Sequence, residues 1–220
     1  MAVKNTHTSL LIIGAGPFGL SMAAQARYLN IDYRIVGRPM ELWRNHMPNG
    51  MYLRGAPDLD PTDVYTVARY LQHRALTPAD VEPFPLDLYL DYADWFQTQS
   101  RTEVIPAYVQ RMDMAPEEEG GFLVQLQNGE TILAETVLLA VGFQYFAHVP
   151  PELSALLPPG RCGHTLEVVD FSLLSGLRCL IIGGRQSAFE WAALLREAGA
   201  EQVHVVHRHA GLCQGRPLLD

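Results

Sequence analysis

The sequence predicts an α/β fold: a parallel sheet flanked by helices and extended by an antiparallel β meander, followed by the start of a second unit of the same kind. Three observations carry this. Two short apolar runs, Leu10 to Ile13 and Leu180 to Ile182, each end at a glycine and lead into a helical segment. Runs of that length without polar alternation suit strands buried on both faces of a parallel sheet. Between them, Phe122, Val124 and Leu126 alternate with other residues ahead of Asn128-Gly129, the pattern of a hairpin whose turn takes left-handed residues.

In order along the chain, Pro17 to Leu29 reads as a helix, and its Ala23, Ala24 and Ala26 allow it to lie close on the sheet. Tyr33 to Val36 is a second parallel strand. Gly37 to Pro61 breaks into Gly, Pro and Asn around Trp43, Met47, Met51 and Tyr52, and reads as one long irregular segment. Helical spacing returns at Val64, Ala68 and Leu71 behind an Asp60-Pro61 start, and again at Leu88, Tyr92 and Trp95, with Trp95 and Phe96 as core residues. Val104-Ile105 opens the β section. Thr136 to Val141 is a further apolar strand stopped by Gly142, and Pro150 to Gly160 is a connector. The second unit continues with a helix from Ser187 to Ala198 and a strand from Val203 to His207. The expected division is 1–150, a linker at 151–176 and an incomplete unit at 177–220. With only one or two strands written for that last unit, an incomplete or truncated chain is expected.

A net charge of −8 over 220 residues, with 48% hydrophobic residues, describes a soluble globular chain. It argues against a nucleic-acid partner, whose surfaces concentrate Lys and Arg. Cys162, Cys179 and Cys213 are too few and too scattered for a disulfide framework. The N-terminal residues lack a signal-peptide pattern, and no run of about 18 apolar residues occurs. A cytoplasmic location away from membrane is expected.

The chemistry lies first in Gly14-Ala15-Gly16-Pro17-Phe18-Gly19. In a loop between a buried strand and a helix, the three glycines give the tight turn, the close approach of backbone to a pyrophosphate, and close helix-strand packing. The helix N-terminus adds N–H donors and partial positive charge. This is a Rossmann-like dinucleotide-binding turn. Its usual partner is an acidic residue closing the second strand, where it holds the adenosine ribose. Here Gly37-Arg38 stand instead, with Glu41 displaced. The ribose is then held by backbone, by Glu41 from an unusual direction, or less tightly.

A second loop, Gly183-Gly184-Arg185-Gln186-Ser187-Ala188, repeats the pattern with arginine at the middle glycine and the permitted alanine last. Arg185 suits a phosphate contact. Arg208, just past the next strand, stands where an arginine accepts the 2′-phosphate that distinguishes NADP from NAD.

The succession of Gly14-x-Gly16-x-x-Gly19, Trp43, Thr136-Val137-Leu138-Leu139-Ala140-Val141-Gly142-Phe143 and Gly183 to Glu190 resembles the two-dinucleotide flavoprotein monooxygenases. That group includes the flavin-containing and Baeyer–Villiger monooxygenases and the lysine and ornithine N-hydroxylases. The resemblance implies a Rossmann-like FAD-binding domain followed by a Rossmann-like NAD(P)-binding domain, with FAD at the first loop and NADPH at the second. It implies that Trp43 and the residues after it, through Leu53, lie along the flavin side. Val109 offers backbone to the adenine, and Ala140 and Gly142 form the crossing between domains, with Val141 where Thr is usual. Gly160 and His164 match part of the linker signature, but Pro158 and Val168 replace its aromatics, so His164 is read as structural. The implied activity is oxidation of a small-molecule substrate, with the flavin reduced by NADPH and oxygen activated at its C4a. The cofactors carry that chemistry, so no general base is assigned.

Other readings are weaker. A disulfide reductase needs a close redox cysteine pair, and Cys179 reads as a buried hydrophobe. His204-x-x-His207-x-His209 puts only two imidazoles on one strand face, short of a metal site. No Gly-x-Ser-x-Gly or His-Glu-x-x-His occurs. Glu117 to Glu119 reads as a solvated loop, while Met47 and Met51 fit core or cofactor equally. A non-catalytic dinucleotide-binding protein is the alternative from another class, favoured by Gly37 and Arg185.

Overall fold

In the computed structural model, which describes residues 5–53, 55 and 57–208, the first apolar run is the end of a longer strand, β1 (Asn5–Ile13). It is followed by α1 (Pro17–Tyr28) and β2 (Tyr33–Val36), and β1 and β2 pair in parallel from Leu10↔Tyr33 to Ile13↔Val36. Leu11 and Ile12 are both fully buried, and because successive strand residues point to opposite faces they enter different clusters. Ile12 packs with Leu20, Ala23 and Ile35. Leu11 packs with Val36, Val124 and Ile132. That double burial is why the run carries no polar alternation.

The segment read as wholly irregular contains a short helix, α2 (Glu41–Asn45), and a strand, β3 (Tyr52–Leu53). The helix makes contacts remote in sequence, among them Arg44 to Asp94 at 2.5 Å. Next come α3 (Val67–His73), β4 (Phe84–Pro85) and α4 (Leu86–Gln99). The first of these begins later than the Asp60-Pro61 signal suggests. Thr66 is its N-cap and accepts from the Arg69 amide. The Asp60 carboxylate instead accepts the amides of Thr62, Val64 and Tyr65 and closes the preceding loop.

Four strands complete the first sheet: β5 (Val104–Ile105), β6 (Val109–Met114), β7 (Phe122–Leu126) and β8 (Thr131–Leu139). The order is β5-β2-β1-β8-β7-β6, parallel from β5 to β8 and antiparallel beyond. The hairpin strand and the apolar strand expected separately near 130 and 136 are one strand. Nothing between Glu130 and Thr136 breaks the chain, and β1 offers a ladder from Asn5↔Thr131 to Ile13↔Leu139 that satisfies the backbone groups throughout. In the turn before β8, only Gly129 is left-handed, at φ +88°. Its amide donates to Leu126 and the Leu126 amide to Glu130, the three-residue hairpin with a glycine bulge.

Beyond α5 (Pro151–Ser154), the second unit consists of β9 (Arg178–Ile182), α6 (Gln186–Glu197) and β10 (Gln202–Val206), with β9 and β10 parallel. Trp191 and Leu195 of α6 pack with Phe171, Cys179, Ile181 and Val203. Met47 joins this cluster from the first unit, and His46 Nδ1 lies 2.9 Å from the Leu166 carbonyl. Met51 is buried and its carbonyl accepts from the Leu86 amide. On the other face, Leu180, Ile182 and Val206 are more than half exposed. Among the described residues no helix is long and apolar enough to cross a membrane.

Candidate functional site

The turn after β1 is shaped by close approaches that only glycine permits. Gly14 has φ +112°, and a Cβ there would lie 2.2 Å from the Ala140 carbonyl oxygen. Ala140, just past β8, donates to the Ile13 carbonyl at 2.7 Å, so the end of β8 presses on this turn. A Cβ at Gly19 would lie 1.8 Å from the Gly14 carbonyl, which brings α1 onto the strand end. Gly16 is different. A Cβ there meets nothing within 4 Å, so its space is open toward a ligand.

Gly16 is also the N-cap of α1, with Pro17 at the first helical position, no side-chain cap and no acidic residue in the first turn. The leading N–H groups and the positive end of a twelve-residue helix are therefore unspent. They open on a cavity of about 180 Å³. That is below the ~300–1,000 Å³ of a whole small-molecule pocket.

Ten of the residues singled out in the sequence line this cavity: Gly14, Gly16, Pro17, Phe18, Gly37, Arg38, Trp43, Val109, Ala140 and Gly142. Trp43 stands edge-on to Tyr89, ring centroids 5.1 Å apart. Gly19 lies behind the wall as a packing residue. Leu53 pairs with Phe84 and packs on the main core cluster instead of lining the cavity.

Sequence reasoning missed Tyr108 and Tyr145 and gave no role to Phe143, which also line the cavity, and it named Glu41 only as one of three ways to hold the ribose. The Tyr108 hydroxyl donates to Glu41 Oε2. Arg38 Nη1 lies 3.3 Å from Glu41 Oε1, with its guanidinium 4.9 Å above the Tyr108 ring. Burial, then the hydrogen bond and charge of Glu41, push the Tyr108 hydroxyl well above the ordinary tyrosine range. The only available signal was Tyr108's place beside Val109.

The second loop stands apart, and its six residues Gly183 to Ala188 do not line this cavity. The Gly183 amide donates to the Val206 carbonyl at 2.9 Å. A Cβ at Gly184 would lie 2.6 Å from His207 Cβ. Arg185 is the N-cap of α6, which also lacks a side-chain cap. Arg185, Gln186 and Ser187 are exposed, Ala188 is buried at the helix foot, and Arg208 is exposed just past β10. Gln186 donates to Glu190 at 3.0 Å. His164 Nδ1 accepts from the Leu166 amide at 3.1 Å, a turn-forming contact. Among the described residues no group of three or more His, Cys, Asp or Glu could hold a metal. His209 and Cys213 lie outside the described residues.

The pattern of the pyridine nucleotide-disulphide oxidoreductase family matches residues 8–218. A ferredoxin–NADP reductase from Burkholderia vietnamiensis is 30% identical over 212 residues, covering 93% of this chain and 52% of that protein. An FAD-dependent urate hydroxylase from Xanthomonas campestris pv. campestris is 29% identical over 161 residues, covering 72% of this chain and 34% of that protein. The chain thus spans a third to a half of these relatives. A variant of the flavin monooxygenase from Stenotrophomonas maltophilia shares the fold, with a TM-score of 0.75 at 22% identity over 93% of this chain and 58% of that one.

Proposed function

This chain belongs to the pyridine nucleotide-disulphide oxidoreductase family, and from that premise we propose that it is the FAD- and NADPH-binding part of an oxidoreductase of monooxygenase type. The observation that carries the proposal is the uncapped N-terminus of α1 opening on the cavity between Gly14 and Gly142. The residues present fit FAD there. Gly16 and Gly142 leave space where a side chain would stand, and the first-turn amides and helix dipole suit a pyrophosphate. Trp43, Phe143 and Tyr145 supply apolar wall. Bound there, FAD would supply the hydride-accepting redox chemistry, with NADPH as the donor. The chain's own part is to hold the pyrophosphate on backbone, to place the ring system along the Trp43 side, and to exclude water around it. At the second loop, Arg185 and the α6 N-terminus take the NADPH pyrophosphate and Arg208 its 2′-phosphate. Residues 1–150 and 177–220 are the two binding units, joined through 151–176.

The relatives' names favour a second reading at the acceptor side. The Burkholderia relative is a ferredoxin–NADP reductase, which makes a protein acceptor in place of oxygen the competing assignment. The separation of Cys162 and Cys179 suits neither half of a redox dithiol pair.

Visible absorption of the purified chain tests the proposal. A yellow protein that bleaches on anaerobic mixing with NADPH supports it. A protein colourless as isolated and after incubation with FAD overturns it, and a yellow protein that NADPH does not bleach favours a binding-only role. Rapid recovery of the colour with oxygen and none with ferredoxin supports the monooxygenase assignment. Recovery with ferredoxin and not with oxygen supports the reductase assignment.

A further inference from the structure

The end of β2 cannot carry the carboxylate that this type of site uses for the adenosine ribose. Gly37 has φ +136°, and a Cβ there would lie 3.0 Å from the Ala15 amide nitrogen and 3.3 Å from Gly14 Cα. Its amide is fixed to the Ile105 carbonyl at 3.0 Å. Any side chain at position 37 would strain the backbone and push the pyrophosphate turn aside.

One helical turn further on, a carboxylate is in place. Glu41 opens α2 and lines the same cavity as Gly14 and Gly37. The Met40 amide donates to the Ala15 carbonyl at 3.0 Å, which ties the start of α2 to the pyrophosphate turn. The Glu41 side chain is 13% exposed, so its orientation is set by contacts. Tyr108 holds one oxygen and Arg38 the other. A carboxylate offers about four lone-pair sites, and these two donors leave the remainder for hydroxyl groups. Arg38, lying over the Tyr108 ring, also offsets the charge of Glu41 within the wall.

We infer that Glu41, held by Tyr108 and Arg38, is the acceptor for the ribose hydroxyls of the bound dinucleotide, displaced from the strand end to α2 because Gly37 must stay bare. The inference rests on the assignment of a dinucleotide to the first loop. Tyr108 and Arg38 act as positioning residues, and Glu41 makes the ligand contact.

Calorimetric titration of the full chain with FAD, ADP and 2′,3′-dideoxy-ADP tests this. The wild-type chain should bind ADP roughly 10- to 100-fold more tightly than the dideoxy compound, the scale of hydrogen bonds to a charged group. Glu41→Gln should weaken FAD and ADP by a comparable factor and narrow the ADP-to-dideoxy ratio. Tyr108→Phe should narrow the same ratio by a smaller factor. A purely structural role for Glu41 would lower affinity for both nucleotides and leave the ratio unchanged. Equal wild-type affinities for ADP and the dideoxy compound overturn the inference without any variant, as does an undiminished ratio in a folded Glu41→Gln protein. Both outcomes leave the FAD assignment standing. Absence of FAD and ADP binding overturns the two together.

Discussion

The Ala140 carbonyl oxygen occupies the space that a side chain at Gly14 would need, 2.2 Å from an ideal Cβ. Two strand ends that are neighbours only through the β1–β8 ladder thus fix the shape of the pyrophosphate turn. Gly14→Ala must open that contact and adopt an unfavourable φ, a strain on the order of 1–3 kcal/mol. The thermal midpoint should fall by several degrees and FAD binding should be lost. Gly16→Ala meets no protein atom within 4 Å and should melt within a degree or two of wild type while binding FAD more weakly. Thermal melts and flavin titration of the pair check this, and equal behaviour of the two variants would contradict the assigned geometry.

Arg208 gives a cofactor-selectivity prediction. It is exposed just past β10, so truncation should leave stability within ~0.5 kcal/mol. Arg208→Ala should weaken NADPH about 10- to 100-fold, the scale of a lost charge-assisted contact, and leave NADH nearly unaffected. Parallel titrations with the two nucleotides measure the ratio, and equal losses would remove the 2′-phosphate role.

Tyr92 is fully buried, and its hydroxyl donates to Asp58 at 2.9 Å and accepts from the Leu59 amide at 3.2 Å. Tyr92→Phe strands that amide in the core. The expected cost is about 1–3 kcal/mol, a fall in Tm of roughly 3–10 °C. Urea unfolding would settle the value, and a variant as stable as wild type would show that the loop around residue 59 does not depend on this bond.

Asp60 predicts an acid limb. Burial opposes its ionisation, but the Thr62 hydroxyl and the amides of Tyr65, Thr62 and Val64 outweigh it and hold the carboxyl below its ordinary value. A depressed native pKa contributes stability that is present above the unfolded value, about 3.9, and is lost as pH falls through the native one. Stability should therefore drop below about pH 4. Asp60→Asn should be less stable at pH 7 and show a shallower decline on acidification, measured by urea midpoints across pH 3–7.

Short-range pattern made much of this legible. Strand β2, helix α1 and the glycine turn follow from spacing within a dozen residues, and the double burial of Leu11 and Ile12 explains why the apolar run was a sufficient signal. What escaped was set by distant partners. The small α2 meets α4 through Arg44 and Asp94, and Tyr108 matters through Glu41, 67 residues away. Met47, equally at home in core or cofactor site by position, packs on the second unit. Asp60 resembled a helix start because the same acceptor chemistry closes loops and caps helices.

One strand, β8, completes both the parallel sheet and the meander, and this has a consequence for biosynthesis. Strand β1 pairs on one side with the nearby β2 and on the other with β8, which leaves the ribosome on the order of ten seconds later at ~5–20 residues per second. Until then an edge ending in the apolar run Leu10 to Ile13 stands open to the wrong partner. Closure of so long a loop is also what slows β-rich folding. Within β1 the polar Thr6-His7-Thr8-Ser9 keep the first half of that edge hydrophilic during the wait.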